Sequence, residues 1–174
     1  MKKFLAIFFC LSLVGFFVYI GEKEENNHYT EYLRIHIRAN SNEQVDQDIK
    51  YQIKDEIVDY LTPIISTCTT KSEFESKLNQ NLLQITRIAN KILAHNNLDY
   101  ESTAQITNEF FPVRTYGNLT LDSGYYDALI VNLGTGTGDN WWCVVYPPLC
   151  FVGENTTYSY KSRLLEVIKK FFGG

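Results

Sequence analysis

Phe110-Phe111-Pro112-Val113-Arg114-Thr115-Tyr116-Gly117 opens the stretch whose reading decides the fold, and Trp141-Trp142-Cys143 with Pro147-Pro148-Leu149-Cys150-Phe151 closes it. Between residues 110 and 151 lie both tryptophans, three of the four prolines and two of the four cysteines. Tyr116-Gly117-Asn118 and Asp122-Ser123-Gly124 carry turn residues, and the apolar, β-branched run 126–133 reads as a strand. A second strand, 141–146, follows the connector Gly134-Thr135-Gly136-Thr137-Gly138-Asp139-Asn140. With a strand on each side, the simplest reading of that connector is a loose antiparallel hairpin. A phosphate cradle is disfavoured, because no Lys follows the glycines and no helix begins there.

Fully extended, Cys143 and Cys150 would stand about 23 Å apart at ~3.3 Å per residue, whereas a disulfide needs Cα atoms within roughly 7 Å. Pro147-Pro148 ends the strand and turns the chain back. Closing so short a loop stabilises by about 2–3 kcal/mol in the chain-entropy model. The alternative is two separate buried thiols; a zinc site would want further ligands at close spacing. Adjacent Trp141 and Trp142 must point to opposite faces of their strand. One enters the core, and the other is exposed as a docking residue or covered by the last helix. Aromatic residues and Arg dominate partner interfaces, so Arg114 and Tyr116 join the tryptophans as partner-binding candidates.

Upstream, residues 103–108 alternate as a strand. Thr70 and Glu73 form a capping box for a helix over 71–94, with Phe74, Leu78, Leu82, Ile85, Ala89 and Ile92 on one face and Asn96-Asn97 at a left-handed end. Cys68, just before it, reads as a free, inert thiol. An earlier helix starts at Ser41 and Gln44, a second capping box, and carries Val45, Ile49, Ile53, Ile57 and Leu61 as its apolar stripe. Thr62-Pro63 is expected to stop it. Asp46, Lys50, Lys54, Asp55 and Asp59 read as its solvated side, with i,i+4 pairing such as Asp46 with Lys50. Before that helix, Leu33-Arg34-Ile35-His36-Ile37-Arg38 alternates strictly and reads as a half-buried strand. Arg34 and His36 are candidates for ligand, acid/base or partner contacts, and the bland reading is a solvated strand face. A final helix over 161–172 carries Leu164, Leu165, Ile168 and Phe172. The order is strand, helix, helix, three strands, helix. That is α+β: a mostly antiparallel sheet with helices packed on one face.

The N-terminus sets the compartment. Lys2 and Lys3 precede an uncharged run, residues 4–20, about 25 Å long as a helix at ~1.5 Å per residue. The run lacks a small-x-small cleavage site, which favours an uncleaved membrane signal-anchor over a cleaved signal peptide. The expected organisation is residues 1–21 as anchor, 22–30 as a polar stalk, and 31–174 as one exported domain. Export also permits the disulfide. A formal net charge of −4 argues against a nucleic-acid partner. His28, His36 and His95 stand beside no nucleophile motif, so no catalytic residue, metal or cofactor is expected. The rival reading is an extracytoplasmic cell-wall hydrolase using His36 with a nearby Asp.

Residues 31–152 resemble the stage II sporulation protein R family of endospore-forming bacteria. The resemblance is carried by Leu33-Arg34-Ile35-His36-Ile37 with Ala39-Asn40-Ser41, by Asp46-Gln47 with Lys50 and Lys54-Asp55, and by Phe111-Pro112, Arg114, Tyr116-Gly117-Asn118, Gly124-Tyr125 and Ala128-Leu129. Its most specific block is Gly134-x-Gly136-x-Gly138 with Asn140-Trp141-Trp142-Cys143 and Pro147-Pro148-Leu149-Cys150. Two positions depart from the family pattern: Arg38, where an apolar residue is expected, and Ile130, where the family often has Arg. The resemblance implies a non-enzymatic signal, made in the forespore and exported into the space between forespore and mother cell. There it would trigger a membrane-embedded aspartic protease of the mother cell that processes the precursor of sigma factor E.

Overall fold

The computed structural model describes residues 31–151 and 158–173. The expected anchor at 4–20 and the stalk at 22–30 lie outside the described residues. Among the described residues no helix is long and apolar enough to cross a membrane.

The elements are β1 (Leu33–Arg38), α1 (Gln44–Ile65), α2 (Lys71–His95), β2 (Ser102–Phe111), β3 (Arg114–Tyr116), β4 (Leu119–Leu121), β5 (Gly124–Leu133), β6 (Asn140–Tyr146), a short 3-10 turn (Leu149–Phe151) and α3 (Tyr158–Phe172). The fold is α+β with a mostly antiparallel sheet. Four strands form the sheet in the order β2-β5-β1-β6, and β3 and β4 make a separate two-stranded hairpin. β5 and β6 therefore do not form the expected hairpin: β1 lies between them, parallel to β5 and antiparallel to β6. The glycine connector crosses the end of β1 instead of turning back on itself. Local sequence favours the hairpin, but β1 takes the centre of the sheet, where both its edges are paired and Leu33, Ile35 and Ile37 are fully buried.

That central place also corrects the half-buried reading of β1. Leu33, Ile35 and Ile37 face the helices, and on the opposite face Arg34 and His36 are buried as well. Ile35, Ile37, Leu129 and Val131 of the sheet pack with Ile53, Ile57 and Leu61 of α1 and Phe74, Leu78 and Ile85 of α2. Each such side chain contributes about 1.5–3 kcal/mol. The other face packs a smaller cluster of Tyr32, Phe111, Leu121, Tyr126, Ala128, Ile130 and Val144, reached by Tyr116 and Leu119 of the hairpin.

The helices differ from expectation at their ends. α1 has Glu43, not Ser41, as its N-cap, with no side-chain cap bond; Ser41 lies two residues before it, its Oγ accepting from the Glu43 amide and donating to Asp46. Val45 is exposed rather than part of the buried stripe. Pro63 does not stop α1, which runs on to Ile65. The Thr62 hydroxyl donates to the Val58 carbonyl and that of Ser66 to the Pro63 carbonyl. Leu61 and Ile65 are fully buried, and that burial offsets the roughly 3 kcal/mol disruption of a helical proline. The capping box of α2 is present: Thr70 accepts from the Glu73 amide, and the Glu73 carboxylate accepts from the Thr69 amide. Asn97 is left-handed, with φ of 57°. On α3, Leu164 is buried while Leu165 and Phe172 are exposed; Phe171 makes the packing contact, 5.3 Å from the Tyr32 ring.

The bridge Cys143–Cys150 is formed, with Cα atoms 6.1 Å apart. Cys68 is free and buried.

Candidate functional site

Alternation along β1 sends Arg34, His36 and Arg38 to the face away from the helices. In register, His36 lies beside Trp142 of β6 on one side and Ile130 of β5 on the other. Ile130 in turn pairs with Gln105 of β2. Yet the His36 Nδ1 meets Glu109 Oε1 at 2.8 Å, four residues further along β2. The ten-residue β2–β5 ribbon therefore curls over this face, as strongly twisted two-strand ribbons do. The curl brings Glu109, Phe111 and Tyr126 back above β1, and the β3–β4 hairpin follows with Arg114 and Tyr116.

The result is a cationic, aromatic cluster, buried at Arg34, His36, Phe111 and Tyr126 and reaching solvent at Arg114. His36 stacks on Trp142 with ring centroids 3.6 Å apart, and Phe111 meets the edge of that indole at 4.8 Å. The Arg34 guanidinium lies 4.1 Å from the Phe111 ring centre and 4.6 Å from that of Tyr126. It donates to the Tyr116 hydroxyl at 2.8 Å. Arg114, on the exposed hairpin, sits 5.5 Å above the Trp142 ring. Arg38 donates to Glu109 at 2.6 Å and to Asn132 at 3.2 Å. Such cation–ring contacts are worth about 0.5–2 kcal/mol each, more as they are desolvated.

Burial pushes the His36 pKa below its ordinary value; the bond to Glu109 opposes this, and nearby Arg38 adds to it. The ring is thus held neutral, oriented by Glu109. Three buried polar atoms in this cluster have no hydrogen-bond partner: Arg34 Nε, Arg34 Nη1 and His36 Nε2. Folded proteins leave few such atoms, and all three are on one face here.

The glycine connector has a different character. Its Thr135 amide donates to Asn40 Oδ1, its Gly138 amide to the Ala39 carbonyl and its Asp139 amide to Asn42 Oδ1. Amides that would cradle a phosphate are committed to the segment after β1. Gly138 is required by close approach: a Cβ there would stand 2.1 Å from the Ser41 carbonyl oxygen. Beneath it, Asp46 accepts from Asn40, Ser41 and the Tyr100 hydroxyl. Burial works to raise the Asp46 pKa, but these bonds outweigh it and hold the carboxyl below its usual value. Lys50 is buried too, bonded to Gln47 and the Asp139 carbonyl. Asp46 and Lys50 are therefore framework groups, not the solvated pair that i,i+4 spacing suggests.

Of the six partner-binding candidates, Arg34, His36, Arg114, Tyr116 and Trp142 converge on one face. Trp141 points to the helix side, with Lys54 5.7 Å from its ring. Sequence reasoning missed Glu109, quoted Phe111 only within the resemblance, and took Arg38 as a polar strand position and a departure from the family pattern. Nothing local marks these residues, since a curled ribbon brings them in. Among the described residues no group of three or more His, Cys, Asp or Glu is placed to hold a metal. Among the described residues, a cleft of about 360 Å³ beside the cluster shares Tyr126 with it and is lined also by Tyr32, Leu121 and Asp122; clefts of about 460 and 440 Å³, along Gln84, Arg87 and Lys91 and along Thr67, Cys68 and Arg163, involve none of the cluster's residues.

Comparison with known proteins gives one family. The model described as "Stage II sporulation protein R (spore_II_R)" matches residues 29–156. A curated relative, "Stage II sporulation protein R" of Bacillus subtilis (strain 168), is 31% identical over 131 residues, which is 75% of this chain and 58% of the relative. The chain thus spans under two thirds of that relative's length. No solved structure matches.

Proposed function

This chain belongs to the stage II sporulation protein R family, and from that premise we propose that it is an exported sporulation signal that activates a membrane-embedded aspartic protease. The protease then processes the sigma factor E precursor in the mother cell. The domain acts outside the cytoplasm, in the space between forespore and mother cell, held by residues 4–20. The disulfide suits an oxidising compartment.

The observation that carries the reading is the convergence of exposed Arg114 and half-buried Trp142 and Tyr116 over the buried Arg34 and His36. Aromatic anchors flanked by arginine are what a protein partner reads, and a small substrate would want an enclosed pocket. The test replaces the resident copy in sporulating cells with the full chain carrying Trp142→Ala and Arg114→Ala. Precursor is expected to persist on a blot while circular dichroism stays native. Full processing by a folded double variant would remove the docking reading.

One observation favours a second reading. Glu109 orients His36 as a carboxylate orients a general base, which is what a cell-wall hydrolase would need. Against it, His36 is 2% exposed, so its free nitrogen is closed to substrate. His36→Gln decides: a hydrolase would lose all activity on purified peptidoglycan, whereas a docking surface would keep partial signalling.

A further inference from the structure

We propose that the partner segment docked on this face is acidic, its carboxylates engaging Arg114 and Arg38 beside Trp142. The inference rests on the docking reading above and adds the chemistry of what docks. Three guanidiniums, Arg34, Arg38 and Arg114, stand around His36 and Trp142, and among the described residues Glu109 is the carboxylate joined to them. With His36 neutral, the cluster carries three positive charges, one of them buried, and one negative, a surplus of two on a chain of formal charge −4.

That carboxylate is already engaged, because Glu109 Oε1 receives both His36 and Arg38. Arg114 is exposed, and its hydrogen bond goes to the carbonyl of neighbouring Val113, at 3.4 Å. It is held over an indole with its charge free for a partner. The independent observation is Arg34. It is fully buried, its Nε and Nη1 have no partner, and aromatic rings surround it. Arginine does not deprotonate in proteins, so its charge persists. A buried cation in low dielectric is poorly screened, and its field emerges at the surface above it. Phe111, which touches both the Arg34 guanidinium and the Trp142 indole, links that charge to the rim where Arg114 lies over Trp142. An extended segment bearing Asp or Glu supplies the missing negative charge, and its backbone or apolar side chains lie on the indole.

The experiment measures binding of the full chain to the detergent-solubilised protease from 50 to 500 mM NaCl. Wild type is expected to weaken about tenfold across that range. Arg114→Glu is expected to weaken binding at least tenfold at low salt and to flatten the salt dependence, while Arg114→Lys stays within about threefold. Arg87→Glu, the same charge change on the exposed side of α2, is expected to bind like wild type. Circular dichroism confirms the fold of each variant. Arg114→Glu binding as tightly as wild type, at every salt concentration, would overturn the acidic segment and leave the activation reading intact. A wild-type chain that does not bind the protease at all would overturn the activation reading itself. Arg114-dependent retention on phosphatidylglycerol vesicles, with no Arg114 dependence toward the protease, would overturn the proposal in favour of a lipid surface.

Discussion

The two ends of β1 do opposite things with polar groups. Beyond its C-terminal end, Asn40, Ser41, Asp46, Lys50 and the glycine connector satisfy one another almost completely. Along its outer face, Arg34 and His36 are just as buried yet keep three atoms unpartnered. Burial is similar and the energetics are not. A satisfied buried network rigidifies a fold, whereas a partly satisfied one costs stability. The connector region is framework, and the β1 face is the one we propose for a partner.

The framework half predicts the largest losses of stability. Gly138→Ala puts a methyl against the Ser41 backbone and is expected to destabilise by about 3 kcal/mol in urea unfolding. Asp46→Ala strands three donors and should lose a similar amount. Because the folded Asp46 pKa is depressed, its contribution is present above about pH 4 and lost as the pH falls through the folded value. The alanine variant should therefore lack that acid-side decline in the unfolding midpoint. A tolerant Gly138 or Asp46 would break the contrast from this side. Next in size is the bridge: Cys143→Ser with Cys150→Ser should cost about 2–3 kcal/mol, with the unfolding midpoint as the measure.

The face half predicts smaller effects on folding. His36 is neutral in the fold, with its pKa lowered. Protonation therefore favours the unfolded chain: stability is full above roughly pH 6.5 and declines as the pH drops toward the depressed folded value. His36→Gln should flatten that slope in midpoints measured from pH 7.5 to 5. An unchanged slope would mean that the ring is not held neutral.

How far these regions could be read in advance follows from where their partners lie. The α2 helix was legible because Thr70, Glu73 and the Phe74-Leu78-Ile85 stripe are local signals. The bridge was legible because only seven residues separate its cysteines. The place of β1 between β5 and β6 was not, since its partners lie 94 residues downstream on β5 and 102 to 113 on β6, and the glycine connector has the form of a hairpin turn. Asp46 and Lys50 looked solvated because their spacing fits a surface pair; Tyr100 and Asp139, which bury them, are remote. Trp142, Arg34 and His36 were marked by residue type, but Glu109 reaches them only through the curl of the β2–β5 ribbon.

The account stands on Arg34 serving a partner more than the fold. Arg34→Met in the full chain tests it, with urea unfolding and sigma-factor processing read on the same variant. Replacing an unneutralised buried charge with an apolar side chain should leave the midpoint unchanged or raise it, while processing fails. A fall of about 3 kcal/mol, as expected when a buried structural pair is broken, or processing that continues undiminished, would contradict it.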